Sequence, residues 1–139
     1  MNKEEILNQI KVVFEQINID GKAQNSAGLL TGANKLATLR YNLSPLWINA
    51  KEEADRIEAD YKDKVAHRML ELRQEKKTIE ESKAQARIEC SPDYLAYLQA
   101  DKERLTLQTL RDDLAMKVSL IQSICSELRT QRNTGEIRD

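Results

Sequence analysis

Few residues in this 139-residue chain could ligate a metal, move a proton or attack a substrate, and they are scattered. His67 is the single histidine, and the two cysteines, Cys90 and Cys125, have no C-x-x-C spacing. A zinc site needs several such ligands at recognisable intervals, so none is expected. The stretch GLLTGANK at 28–35 has glycines and a lysine but lacks the G-x-x-x-x-G-K-[ST] spacing, and no apolar strand precedes it. DGKAQNSAG at 20–28 does not set carboxylates at the positions of a calcium loop. Glu52-Glu53 and Asp112-Asp113 lie in charge-rich helical stretches, where a solvated face is the default. No serine or cysteine has a base close by in sequence. The expectation is a protein without catalytic residues, cofactor or metal, and not an enzyme.

One charge pattern does carry chemistry. Residues 51–60 hold five acids against two bases, Lys51 and Arg56. The next stretch reverses the balance: Lys62, Lys64, Arg68, Arg73, Lys76 and Lys77 stand against Asp63, Glu71 and Glu75. Lys64 and Arg68 are four apart, as are Arg73 and Lys77, so each pair shares a helical face. Such a strip could contact a phosphate backbone, with Tyr61 beside it to stack on a base. The competing reading is a solvent face laced by salt bridges.

These residues need elements to position them, and the composition points to long helices. Charged residues make up 32% of the chain and aromatics 4%, with one Trp and one Phe, too few rings for an ordinary compact core of this length. The net charge of −1 and an apolar content of 40% argue against disorder and against a wholly basic nucleic-acid binder. No apolar run is long enough to span a bilayer, so no membrane association is expected. MNKEEILNQI lacks a signal-peptide core, and the unpaired cysteines suit reduced thiols, so a cytoplasmic protein is expected.

Ile6, Leu7, Ile10, Val13, Phe14 and Ile17 form one helical stripe, which defines an N-terminal amphipathic helix over 1–19. Residues 20–32 hold three of the four glycines and read as a flexible linker. Residues 33–43 suit a short helix. Ser44-Pro45 suits an N-cap followed by a first helical position. From there a heptad-like seam runs through Trp47, Ala50, Ala54, Ile57 and Tyr61, steps by four through Val65 and Met69, and continues through Leu72, Lys76, Ile79, Lys83 and Ala86. Ser91-Pro92 repeats the same start signal, so the chain is expected to turn sharply there into a last helix over 92–132. The seam of that helix is Leu107, Leu110, Leu114, Val118, Ile121, Ile124 and Leu128. The stripe looks wider than one partner helix can cover, so it is expected to build a homo-oligomer. The predicted fold is all-α: a long antiparallel helical hairpin or coiled coil over 33–132 with a short N-terminal helix, oligomeric, and a tail over 133–139.

The chain also resembles the UvsY-type bacteriophage recombination mediators over roughly residues 33–132. The likeness rests on LRYNLSPLWINAKEEADRIEADYKDKVAHRM, on its KVAHRM core, and on YLQADKERLTLQTLRDDLAMKVSLIQSICSELRTQR. In KVAHRM, Arg68 matches the arginine of the family's basic helical motif, Met69 its following apolar residue and Val65 its leucine. Ala66 stands where that motif has lysine, and Lys64 is the nearest substitute. The resemblance implies an oligomer that binds single-stranded DNA and helps load a recombinase onto strands coated by single-strand-binding protein, in the bacterial host cytoplasm if phage-encoded. DNA contact is assigned to Lys62, Lys64, Arg68, Arg73, Lys76 and Lys77. The alternative is a helical interaction module, an assembly chaperone or inhibitor, that docks on a protein and binds no DNA.

Overall fold

The computed structural model describes residues 1–135, which form four helices in the order α1 (Lys3–Lys22), α2 (Ser26–Gln74), α3 (Ile79–Glu89) and α4 (Ser91–Thr134). No strand occurs among the described residues, and no helix among them is long and apolar enough to cross a membrane. The protein is all-α. Its chain divides into two compact units, one made of Met1–Leu46 with the chain from Leu107 onward, the other of Trp47–Thr106.

The first unit is a bundle of three helical segments: α1, the first part of α2 and the second part of α4. Asn2 caps α1, accepting from the Glu5 amide at 2.9 Å, while the Glu5 carboxylate accepts from the Asn2 side chain at 2.8 Å. The first bond satisfies the Glu5 amide, which the first turn leaves without a helical partner, and the second holds the two side chains together. The expected stripe then buries Ile6, Ile10, Val13 and Ile17. Leu29, Ala33, Leu36, Leu39 and Leu43 of α2 and Leu107, Leu114, Ile121, Cys125 and Leu128 of α4 complete the core. Arg40 donates to the Arg111 carbonyl at 3.0 Å and the Cys125 thiol to the Ser26 carbonyl at 3.7 Å, so these parts of α2 and α4 run antiparallel.

Between α1 and α2 the chain does not form the expected linker over 20–32. Only Ala23–Asn25 lie outside helices. Asn25 caps α2 by accepting from the Gly28 amide at 3.1 Å, and its side chain donates to the buried Asp20 carboxylate at 3.4 Å. Gly28 and Gly32 serve close packing rather than flexibility. A Cβ on Gly28 would lie 2.6 Å from the Asp20 carboxyl, and one on Gly32 would lie 2.6 Å from an Ile17 side-chain carbon.

The second unit pairs the later part of α2 with α3 and the first part of α4. The expected seam is its packing face: Ala54 and Leu72 are buried, and Trp47, Ala50, Ile57, Tyr61, Val65 and Met69 half-buried. Beyond Leu72 the seam does not continue through Lys76, Ile79 and Lys83, because the chain reverses there and those residues are exposed. Lys76 takes the left-handed conformation with φ 67°. Its amide donates to the Arg73 carbonyl at 3.0 Å and the Lys77 amide to the Leu72 carbonyl at 3.4 Å, the paired bonds of a Schellman motif. Thr78 then caps α3, accepting from the Glu81 amide at 3.1 Å.

Two expected breaks are corrected. Pro45 sits inside α2 rather than starting a helix. Burying leucines before it and the seam after it outweighs the lost backbone bond, and the Ser44 hydroxyl donates back to the Arg40 carbonyl at 3.4 Å. Ser91-Pro92 starts α4 but does not turn the chain. Only Cys90 separates α3 from α4, with φ −90° and ψ 10°. The Ser91 hydroxyl bonds backward to the Ile88 carbonyl at 2.7 Å instead of capping forward. The reversal lies at 75–78.

A lysine at the left-handed position carries strain that glycine would not. Lys76→Gly is therefore expected to stabilise the protein by about 1 kcal/mol, and the β-branched Lys76→Val to destabilise it by a similar amount. Urea denaturation followed by circular dichroism checks both; equal midpoints for the three proteins would refute the assignment.

Candidate nucleic-acid interface

The six cations assigned to DNA contact all lie on the second unit, at or before its reversal, but most are already engaged. Lys62 pairs with Glu58 one turn earlier at 3.0 Å. Lys64 reaches across to Asp93 of α4 at 2.6 Å. Arg68 forks onto Glu89 of α3 and also meets Glu71 at 2.9 Å. Lys77 donates to Gln85, whose amide donates to Glu89 at 3.0 Å. Arg73 donates to the Lys77 carbonyl at 3.4 Å, and Lys76 is exposed at the turn. The sequence pattern located the strip, but spacing within α2 could not reveal that Asp93 and Glu89 come from the opposing helix.

These pairs shift the titration of their members. Hydrogen bonding to Asp93 holds the Lys64 ammonium above the usual lysine range. The Glu89 carboxylate, bonded first by Arg68 and then by Gln85, sits below the usual carboxylate range. Tyr97 is pushed up to about 12, chiefly by its hydrogen bond to Glu58. Together 58 with 97, 64 with 93 and 68 with 89 form polar clasps along an antiparallel pair of helices. The unit as a whole holds fourteen acids against twelve bases, so any attraction for a polyanion must be local.

The structure adds an aromatic cluster that sequence spacing had touched only at Tyr61. The Tyr61 and Tyr94 rings lie 5.3 Å apart between centroids, and Tyr94 and Tyr97 lie 6.2 Å apart. Tyr94 is exposed, and Lys62 and Lys64 follow Tyr61 in sequence. A shallow hollow of about 400 Å³ beside this region is lined by Asp60, Asp63, Lys64, His67, Arg68 and Glu71. The three tyrosines could have been linked only by knowing where the chain reverses.

The residues assigned to oligomerisation are placed differently from the expectation. Leu107, Leu114, Ile121 and Leu128 are buried and Leu110 and Val118 half-buried within the three-helix unit; Ile124 alone of the seven is exposed. The stripe is indeed too wide for one helix. Two segments of the same chain cover it, α1 and α2, so its width gives no requirement for a second copy.

The clasps generate a pH dependence of fixed sign. Glu89 has its pKa lowered in the folded state, so its contribution is present above the unfolded-state value and disappears as pH falls through the folded-state value. Thermal melts of wild type and Glu89→Gln are expected to differ near neutrality and to converge in strong acid. A difference that stayed constant down to pH 2 would contradict the clasp.

No family model, curated protein or solved structure matches the chain.

Proposed function

We propose that this chain is a non-enzymatic recombination mediator of the UvsY type. In this reading it is an oligomeric helical hairpin of coiled-coil character that binds single-stranded DNA and assists recombinase loading onto strands coated by single-strand-binding protein. The observation that carries the reading is the aromatic cluster of Tyr61, Tyr94 and Tyr97 beside Lys62 and Lys64. Single strands are held by stacked bases and neutralised phosphates, and both kinds of group are grouped here. The ion pairs of the strip do not oppose the reading. Exposed pairs contribute little, so a phosphate can replace Glu58 or Asp93 as the partner of a lysine at small cost. The work would be done in the cytoplasm of a bacterial host.

A second reading is a protein-docking module without DNA affinity. It is favoured by the excess of acids in the second unit and by the exposed Ile88, Leu95 and Leu98 on α3 and α4.

Fluorescence anisotropy with a labelled oligothymidine separates the two. The mediator reading expects binding at low salt that weakens steeply as salt rises, because counterions are released from the strand. Tyr94→Ala should weaken it about ten-fold, from the loss of one stacked base. Charge reversal at Arg73 and Lys76 should abolish binding while leaving helix content intact. No binding of wild type at low salt would leave the docking reading in its place.

A further inference from the structure

On α3 and α4, the side of the second unit away from the α2 seam carries a row of large apolar residues in water. Ile88 is 73% exposed, Leu95 63%, Leu98 43% and Leu105 47%. The intervals of seven, three and seven residues are those of the a and d positions of a single heptad frame, with Ser91 and Lys102 in its remaining places. Backbone bonds run up to the α3–α4 junction and on from it: the Cys90 amide donates to the Ala86 carbonyl at 2.9 Å, and the Asp93 and Tyr94 amides donate to the Cys90 carbonyl at 3.1 and 3.2 Å. The residues that face α2, among them Ala86, Cys90, Asp93 and Tyr97, lie on the other side of the same helices. The inner face is thin as well. Its buried residues are Ala54, Leu72, Ser82, Ala86 and Cys90, only one of them a large aliphatic side chain. A pair of helices with one covered face lacks the second layer that stable helical assemblies have.

We propose that a second copy of this chain docks on the row antiparallel to the first, about a two-fold axis passing between residues 96 and 97. The row is complementary to itself, which selects a second copy as its partner. In that register Ile88 of one copy meets Leu105 of the other, Leu95 meets Leu98, and Ser91 meets Lys102. The two-fold axis then repeats every layer. Lys102 can lay its stem over the small serine and carry its ammonium to the edge. At the flanking positions Tyr94 falls opposite Asp101 and Pro92 opposite Gln99, so no like charges face each other. The inference rests on the oligomeric part of the proposed function; Tyr94 borders both surfaces, so the substitutions that test this face are placed at Leu95 and Leu98, outside the tyrosine cluster. Mass reports on this face, anisotropy on the DNA strip.

Light scattering coupled to size exclusion tests it on the full chain across a concentration series. Wild type is expected at the mass of a dimer or a multiple of it. Leu95→Lys and Leu98→Glu, each on an exposed residue, are expected at half the wild-type mass with unchanged helix content by circular dichroism. An equimolar mixture of the two variants should regain the wild-type mass, because the register sets the two substituted positions opposite each other in the mixed pair. If a charged variant lost helix content, Leu95→Cys mixed with Leu98→Cys should form an interchain disulfide under mild oxidation, seen on a non-reducing gel. A wild-type chain that stays monomeric at the highest concentration reached would overturn the proposal. So would folded variants that keep the wild-type mass, a mixture that stays dissociated, or a cysteine mixture that does not cross-link.

Discussion

The left-handed backbone at Lys76 is the constraint on which the second unit depends. A helix that meets such a residue can only end, and the Schellman bonds to Leu72 and Arg73 close it tightly. With Thr78 capping the next helix four residues after Gln74 ends α2, the chain runs back along itself. That reversal decides which residue faces which: Tyr61 meets Tyr94, Lys64 meets Asp93 and Arg68 meets Glu89. A turn placed fifteen residues later, at Ser91-Pro92, would bring none of these together. It would also have left α3 and its acids on the same rod as the basic strip.

In the first unit the equivalent constraint is close approach. Gly28 and Gly32 present bare backbone to Asp20 and Ile17, which lets α1 pack tightly on α2. The leucines of α4 then close against both. Hydrophobic burial rather than helix propensity holds this arrangement, as expected for helices whose apolar residues form a single stripe. The contrast between the units is informative. The first buries a core of leucines and isoleucines from three helical segments, whereas the second is held by small buried residues and polar clasps.

Much of this was legible in the sequence, and the exceptions have physical reasons. The stripe of α1 and the seam from Trp47 to Leu72 follow helical periodicity, and both bury as expected apart from Leu7. Glycine misled at 20–32, since a glycine can mark either flexibility or contact and only the facing side chain distinguishes them. Proline misled at 45, where packing on both sides carried the helix through, and at 92, where a new helix starts without turning the chain back. The true reversal has neither residue. Its one legible signal was Thr78 followed by Glu81, the S/T-x-x-E pattern of a helix start, set between two charged helical stretches. The candidate site was half legible: its cations lie close together along α2 and the turn after it, but Asp93, Glu89 and two of the three tyrosines arrive from the helices that run back.

The antiparallel register decides which groups meet in the second unit, because Lys64 and Arg68 of α2 reach Asp93 and Glu89, and Tyr61 reaches Tyr94, on the helices that run back. Exposed ion pairs of this kind contribute little to stability and exchange partners readily. The register is tested most directly by proton NMR on a sample with assigned tyrosine rings. The account predicts nuclear Overhauser contacts between the Tyr61 and Tyr94 rings, whose centroids are 5.3 Å apart. A well-folded, helical protein with no contact between those two rings would contradict it.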